Sequence, residues 1–311
     1  MTASNPKVGI STWADCFDPA DFIPGLEDAE RLEVDMVEIP AFTMDLIVNG
    51  QINKSQLQRL KEITRKRPFG YTVHGPIAVD FMDDQWRLDL HETVLKASIE
   101  IAAELGAVHH VLHCGEVGDE PMPAIDARFA RQRERLARAG DFAREHGVVL
   151  TVENVWTYNR SRYTALPSRL AQGLALIDHD HIRACLDVSH AYINATLHGA
   201  DFLDEIAALA PFAPHLHIHD SFGRPKDIST FAVAEDLAFG LGDLHLPVGW
   251  GSIPWRDVMA RARLPRGTIF NIELNKRYWS EVGPCVAATR ELANQIRYAD
   301  ETDNDTGASS V

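Results

Sequence analysis

The chain of 311 residues carries 30 Lys and Arg against 45 Asp and Glu, a formal charge of −15, and 45% of it is hydrophobic. That composition supports a buried core and excludes extended disorder, collagen-like repeats and a run of about 18 apolar residues that would span a membrane. The acidity disfavours a nucleic-acid partner, because a phosphate backbone is gripped by a field of Lys and Arg.

The chain opens on MTASNPK, which lacks the charged-then-apolar pattern of a secretory leader. Short apolar, β-branched runs then recur along the chain: KVGIST (7–12), DMVEIP (35–40), FGYTVH (69–74), VHHVLH (108–113), VVLTVE (148–153), IRACLD (182–187), HLHIHD (215–220) and TIFNIE (268–273). Between them lie stretches with apolar residues at 3.6-residue spacing, 91–106, 127–147 and 166–179, and Gly106 and Gly147 stand where a helix should stop. Strands alternating with helices predict parallel βαβ units, and eight of them predict a single-domain (β/α)8 barrel over residues 1–298. A doubly wound open sheet is the competitor, but no GxGxxG follows the first run and polar residues close nearly every run. Long loops are expected at 114–126, 154–166 and 221–250, and a disordered acidic tail at 299–311. Cys16, Cys114, Cys185 and Cys285 form no CxxC pair, which points to a reducing cytoplasm, and Cys114 and Cys185 read as small core residues.

The informative pattern is where the ionisable residues fall. His74, His113, Glu153, Asp187 and Glu273 each end a run, His217 lies in the seventh, His190 follows Asp187 by three, and Asp243 and His245 sit in the long loop after the seventh. In a barrel these ends converge on one mouth. Carboxylates crowded together would be forced to protonate unless cations lay among them. The donor set of carboxylate oxygen and imidazole nitrogen suits divalent Zn, Mn, Fe or Co. A lone Asp closing a strand is often only a helix cap, which would suffice for Asp187 alone or for Asp220. Likewise a single His near a strand end is usually structural, the reading given to His91, His109, His110, His146, His179, His181 and His198.

The phrases TVHGP, VLHCG, TVENVW, CLDVSHA, LHIHDS, GWGSIPW and NIELN resemble those of the xylose isomerase-like barrel superfamily, over residues 7 to 296. That group holds sugar and sugar-phosphate isomerases and epimerases, inosose dehydratases and the repair enzyme endonuclease IV. The isomerase branch implies one metal on Glu153, Asp187, His217 and Glu273, with Glu153 and Glu273 doubling as bases and His190 steadying a hydroxyl. The endonuclease IV branch implies up to three zinc ions, with His74, His113, His190, Asp243 and His245 added. In that scheme His74, His113 and Glu153 hold the first ion, Glu153, Asp187, His217 and Glu273 the second, and His190, Asp243 and His245 the third. All nine positions carry the expected residue type, and GDLHLPVGWGSI keeps that branch's D-x-H followed by G-x-G.

An isomerase has no obvious use for Asp243 and His245, so the leading expectation is a hydrolase of small phosphoesters, chiefly diesters, attacking with metal-bound hydroxide. A sugar or sugar-phosphate isomerase or epimerase is the alternative, and a silent carbohydrate-binding barrel a distant third. The expected substrate is small and anionic or sugar-like, and Arg160, Arg162, Arg224, Lys226 and Lys276 are its expected cationic contacts. His219, which replaces a small polar residue of the repair enzyme, is expected to face substrate. Trp250, with Trp156, Tyr158, Phe222 and Tyr278, is expected to wall the pocket, whereas Trp255 should pack the start of a helix. The outer helices offer surface for an oligomer without selecting one.

Overall fold

Residues 5–12, 18–157 and 161–300 are described by the structure, a computed structural model. Eight strands close into a barrel: β1 Lys7–Ser11, β2 Met36–Pro40, β3 Gly70–His74, β4 Ala107–His113, β5 Val149–Glu153, β6 Ile182–Asp187, β7 His215–Ile218 and β8 Ile269–Ile272. Each pairs in parallel with its neighbours in sequence, and the seam is made by β1 against β8, from Lys7 opposite Ile269 to Ile10 opposite Ile272. Around them run α1 Ile23–Arg31, α2 Lys54–Thr64, α3 Leu88–Glu104, α4 Met122–Glu145, α5 Pro167–Ile177, α6 Val188–His198, α7 Phe202–Leu209, α8 Val233–Phe239, α9 Trp255–Arg261 and α10 Val282–Ala293. This is the (β/α)8 barrel that the alternation of runs predicts.

The local reasons are visible in the chain. Strands of a parallel barrel are covered on both faces, and all five residues of β2 are buried. In α3, Leu95, Ile99 and Ala102 recur at intervals of four and three and are all buried, which docks that stripe on the barrel. Gly106 and Gly147 take φ of +70° and +71° just past α3 and α4, a backbone that ends a helix cheaply only without a Cβ. The helix α4 starts five residues earlier than the apolar spacing suggests, because Pro123 fits a first turn whose N–H groups are unpaired anyway. Its Arg128 and Arg135 pair with Glu120, Asp84, Asp89 and Glu92, so the basic stretch is a solvated outer face.

All three long loops carry structure of their own. Glu116–Gly118 pairs antiparallel with Arg162–Thr164, a ribbon that joins the loops after β4 and β5 into one wall. The segment after β7 contains α8 and returns to the barrel through paired backbone at Asp220 and Leu246. Cys114, Cys185 and Cys285 are buried and free, whereas Cys16, Tyr158, Arg160 and residues 301–311 lie outside the described residues. Among the described residues no helix is long and apolar enough to cross a membrane.

Candidate metal centre

The strands deliver their last residues to one mouth. A cavity of about 670 Å3 opens there, lined by His74, His113, Glu153, His190, Asp243, His245 and Glu273 among others. Asp187 caps α6 by accepting the His190 N–H (2.7 Å), so its second carboxylate oxygen is left for other partners. Capping and site geometry are therefore one arrangement here, not competing explanations.

All nine expected donors interlock. Glu153 Oε2 lies 3.3 Å from His74 Nε2 and 3.4 Å from His113 Nε2, and its Oε1 lies 3.1 Å from His190 Nδ1. His217 Nδ1 is ringed by carboxylates, at 3.3 Å from Glu153, 3.7 Å from Asp187 and 3.4 Å from Glu273. Asp243 Oδ2 lies 3.2 Å from His190 Nε2 and 2.7 Å from His245 Nε2. His245 adopts a φ of +46°, unusual for a residue with a Cβ, and its ring stacks on His219 at 4.0 Å. His219 is fully buried within this cluster, its Nε2 2.9 Å from Asp187 Oδ2 and its Nδ1 3.6 Å from Asp243 Oδ1. It does not line the cavity, so the substrate-facing role expected of it is corrected to membership of the donor cluster.

Ring orientation tests whether this cluster fits a cation. A carbonyl oxygen only accepts, so three imidazoles must donate from Nδ1: His74 to Gly75 O (3.1 Å), His190 to Asn154 O (3.2 Å) and His245 to Glu273 O (2.8 Å). Each Nε2 then faces a carboxylate oxygen, an arrangement that holds only with a proton on that nitrogen or a cation in its place. Anchoring one nitrogen on a carbonyl and presenting the other is the habit of metal-ligating histidine. Glu153 Oε2, both ring nitrogens of His217, His219 Nδ1 and Asp243 Oδ1 are moreover buried without a hydrogen-bond partner. Groups able to hold an ion include His74 with His113 and Glu153, Asp187 with His190 and His219, and His219 with His245 and Glu273. The donors fit divalent cations.

Electrostatics agree. Burial opposes charge on His190, but Asp187 and Asp243 outweigh it and raise its pKa well above the ordinary value. Burial likewise opposes charge on His245, yet Asp243 beside it raises its pKa to about 9. His113 goes the other way, lowered to about 4 by burial that Glu153 does not offset. Glu153 stays ionised well below the usual range: against the cost of burial it is held by His217 and His113. Positive charge is what these carboxylates demand.

Several expected substrate contacts lie elsewhere. Arg224 donates to Phe239 O (2.9 Å) and Lys226 pairs with Asp236 (2.8 Å), which ties both into their own loop. Trp250 is half exposed and packs edge-on to Tyr278 (5.6 Å), and Lys276 opens a short turn, neither of them lining the cavity. Among the described residues Arg162 is the one Lys or Arg of the lining, and it pairs with Glu116 at 2.7 Å. The aromatic lining is Trp156, as expected, and Phe42, whose ring meets His74 edge-on at 5.1 Å. Trp255 does open α9, and its Nε1 donates to Asp220 Oδ2 (3.1 Å).

Sequence reasoning missed three members of this region. Glu38 on β2 is fully buried beneath His217, Asn271 on β8 donates to Glu38 Oε1 (3.1 Å), and Asn154 brackets Asp187 by accepting its N–H (3.0 Å) and donating to its carbonyl (2.9 Å). The available signal was register: Ser11, Glu38 and Thr72 stand level on adjacent strands, a polar layer inside an otherwise apolar barrel.

A closed parallel barrel with acids and histidines at its C-terminal mouth defines a class of metal-site TIM barrels. Residues 26–299 match the family model described as "Xylose isomerase-like TIM barrel", and the chain belongs to that family. A solved D-tagatose 3-epimerase-like protein is similar at 18% identity and TM-score 0.67, covering 93% of this chain and 98% of that one. The 3-keto-D-glucoside 4-epimerase of E. coli, in apo form, is similar at 13% identity and TM-score 0.63, with 92% and 100% covered. A Thermus thermophilus protein soaked with ZnCl2 is similar at 21% identity and TM-score 0.62, with 94% and 99% covered. No curated protein matches the sequence.

Proposed function

We propose that the protein is a metal-dependent sugar epimerase or isomerase that moves a proton at a carbon next to a carbonyl. The observation that carries this reading is His217 Nδ1 held among Glu153, Asp187 and Glu273, four donors from β5, β6, β7 and the end of β8. Similarity to sugar epimerases of the same barrel supports it, and reverses the order in which the sequence ranked phosphoester hydrolysis first. The weak cationic lining supports it too, since a phosphate would find only the paired Arg162 among the described side chains.

Glu153, Asp187, His217 and Glu273 would hold the cation, which when bound supplies positive charge that draws electrons from the substrate's oxygens. Glu153 and Glu273 both line the cavity and come from strands separated by β6 and β7. A sugar bound between them meets two carboxylates, one placed to take the carbon-bound proton and the other to return one. His190 lines the same cavity and would orient a hydroxyl, while Phe42, Val155 and Trp156 would keep water from the reacting carbon.

A second reading, phosphoester hydrolysis on a multinuclear site, is favoured by one fact: His74, His113, His190, Asp243 and His245 crowd the same mouth. Metal analysis and a paired assay separate the two. Epimerisation expects about one tightly held equivalent, solvent deuterium entering a ketose beside its carbonyl, and a loss of about 10²–10⁴-fold in Glu273→Gln. About three equivalents, cleavage of a chromogenic phosphodiester that Asp243→Ala abolishes, and no deuterium exchange would replace it by the hydrolase.

A further inference from the structure

We infer that Glu38 is a positioning residue of the site: its carboxylate holds the His217 ring so that Nδ1, and not Nε2, faces Glu153, Asp187 and Glu273. This rests on the reading that His217 binds a cation, and adds to it what sets the ring's orientation.

Glu38 is 1% exposed and is approached from every side by polar groups. Oε1 accepts from Ser11 Oγ (3.0 Å) and Asn271 Nδ2 (3.1 Å), and Oε2 accepts from Thr72 Oγ1 (3.0 Å). Each oxygen also faces one imidazole: Oε1 lies 3.2 Å from His217 Nε2, and Oε2 lies 3.2 Å from His215 Nε2. Three donors from three strands thus fix the carboxylate, and its charge acts on the ring at ion-pair distance, not through an aligned hydrogen bond. A buried anion held this way would cost too much to keep for packing alone, when an apolar residue would fill the layer.

The other rings explain why such an anchor is needed here. His74, His190 and His245 each hang from a backbone carbonyl through Nδ1 and present Nε2. His217 presents Nδ1 instead, so its anchor must lie on the Nε2 side, deeper in the barrel. At that depth strand carbonyls are committed to the β-ladder, and a side chain has to serve. Glu38 is the side chain there. A negative charge beside Nε2 favours a proton on that atom, leaves the Nδ1 lone pair for the cation and makes it more basic. Ser11 also touches Glu273 Oε1 (3.4 Å), so the same layer steadies a second ligand.

The test uses Co2+ as probe on protein stripped of metal, followed by visible absorption, with circular dichroism to confirm the fold. Glu38→Gln should bind Co2+ about 10–100-fold more weakly, with an altered absorption band, at unchanged secondary structure. Ser98→Ala, which removes an equally buried partner of His110 outside the site, should leave band and affinity unchanged. Should Glu38→Gln fail to fold, Thr72→Val reads the same chain of contacts and should weaken binding several-fold. Wild-type affinity and band in a folded Glu38→Gln, or in Thr72→Val when that stands in, overturn the role of Glu38 while leaving His217 as a ligand. No Co2+ binding by the wild type overturns both.

Discussion

At the scale of single residues, histidines of similar sequence context divide by what their ring nitrogens meet. His109 and His110 share a strand with His113 but neither lines the mouth, and His110 Nε2 meets only the Ser98 hydroxyl, at 2.7 Å. Burial lowers the pKa of each to about 3. An unfolded histidine titrates near 6.5, so between those values the unfolded chain binds protons that the folded one refuses, and stability falls with pH by about 1.4 kcal/mol per unit per group. Melting temperature is therefore expected to drop as pH falls below about 6.5, and less steeply in His110→Gln. Parallel pH profiles for the two proteins would show that His110 is not the group responsible. Seven of the nine donors were legible because each lies at a strand end or just beside one, whereas Asp243 and His245, far along the loop after β7, were legible only through the resemblance. Glu38 was not, because it sits inside MVEIP, where strand-end logic does not look and only cross-strand register reveals a polar level.

At the scale of elements, the arm that brings Asp243 and His245 to the mouth is pinned by backbone pairing of Asp220 with Leu246 and, beyond it, by the side chain of that one acid. Asp220 accepts from Ser221 N (2.9 Å), Gly249 N (2.8 Å), Ile253 N (3.3 Å) and Trp255 Nε1 (3.1 Å). The approach is so close at Gly251 that a Cβ there would stand 2.2 Å from Asp220 Oδ1 and from Ser221 O. In the G-x-G of GDLHLPVGWGSI, Gly251 thus has a steric cause and Gly249 a conformational one, its φ of +90°, and Asp220 does more than the helix cap the sequence allowed it. Asp220→Asn sets an amide N–H against these donors and should cost about 1–3 kcal/mol, read as a lower melting temperature with faster hydrogen exchange at 243–253. Gly251→Ala should cost at least as much, since backbone atoms must move. Wild-type stability in both would mean that the arm is held by something else. The cationic residues of these loops misled the sequence reading because nothing in a linear chain says that Lys226 has Asp236 within reach, or that Arg224 turns back to Phe239.

At the scale of the whole molecule, the net charge of −15 is partly concentrated in one cavity, where Glu38, Glu153, Asp243 and Glu273 share a wall. Bound cations would relieve that repulsion and stabilise the folded chain by mass action, by about 2.7 kcal/mol at a hundredfold excess over the dissociation constant. Chelator should lower the melting temperature of metal-loaded protein by several degrees, and Zn2+ or Mn2+ should restore it. A melting temperature indifferent to chelator would argue that the acids are balanced by histidine alone. The barrel itself was legible from eight runs in period with helices, since βα alternation is a local property repeated. Closure was an inference from counting, and the register at the seam was beyond reach.

That seam bears on assembly. Ser11 from the first strand touches both Glu38 from the second and Glu273 beyond the last, so this side of the ligand bed exists only once both ends of the chain have met. An open sheet holding only the central strands keeps His74, His113 and Glu153 but lacks Glu273 and the layer it shares with the edges, and it should hold metal more weakly than the closed ring. A tightening of ion affinity would then serve as a clock for the final turn of folding, stamping the moment at which an open fan of strands becomes a ring.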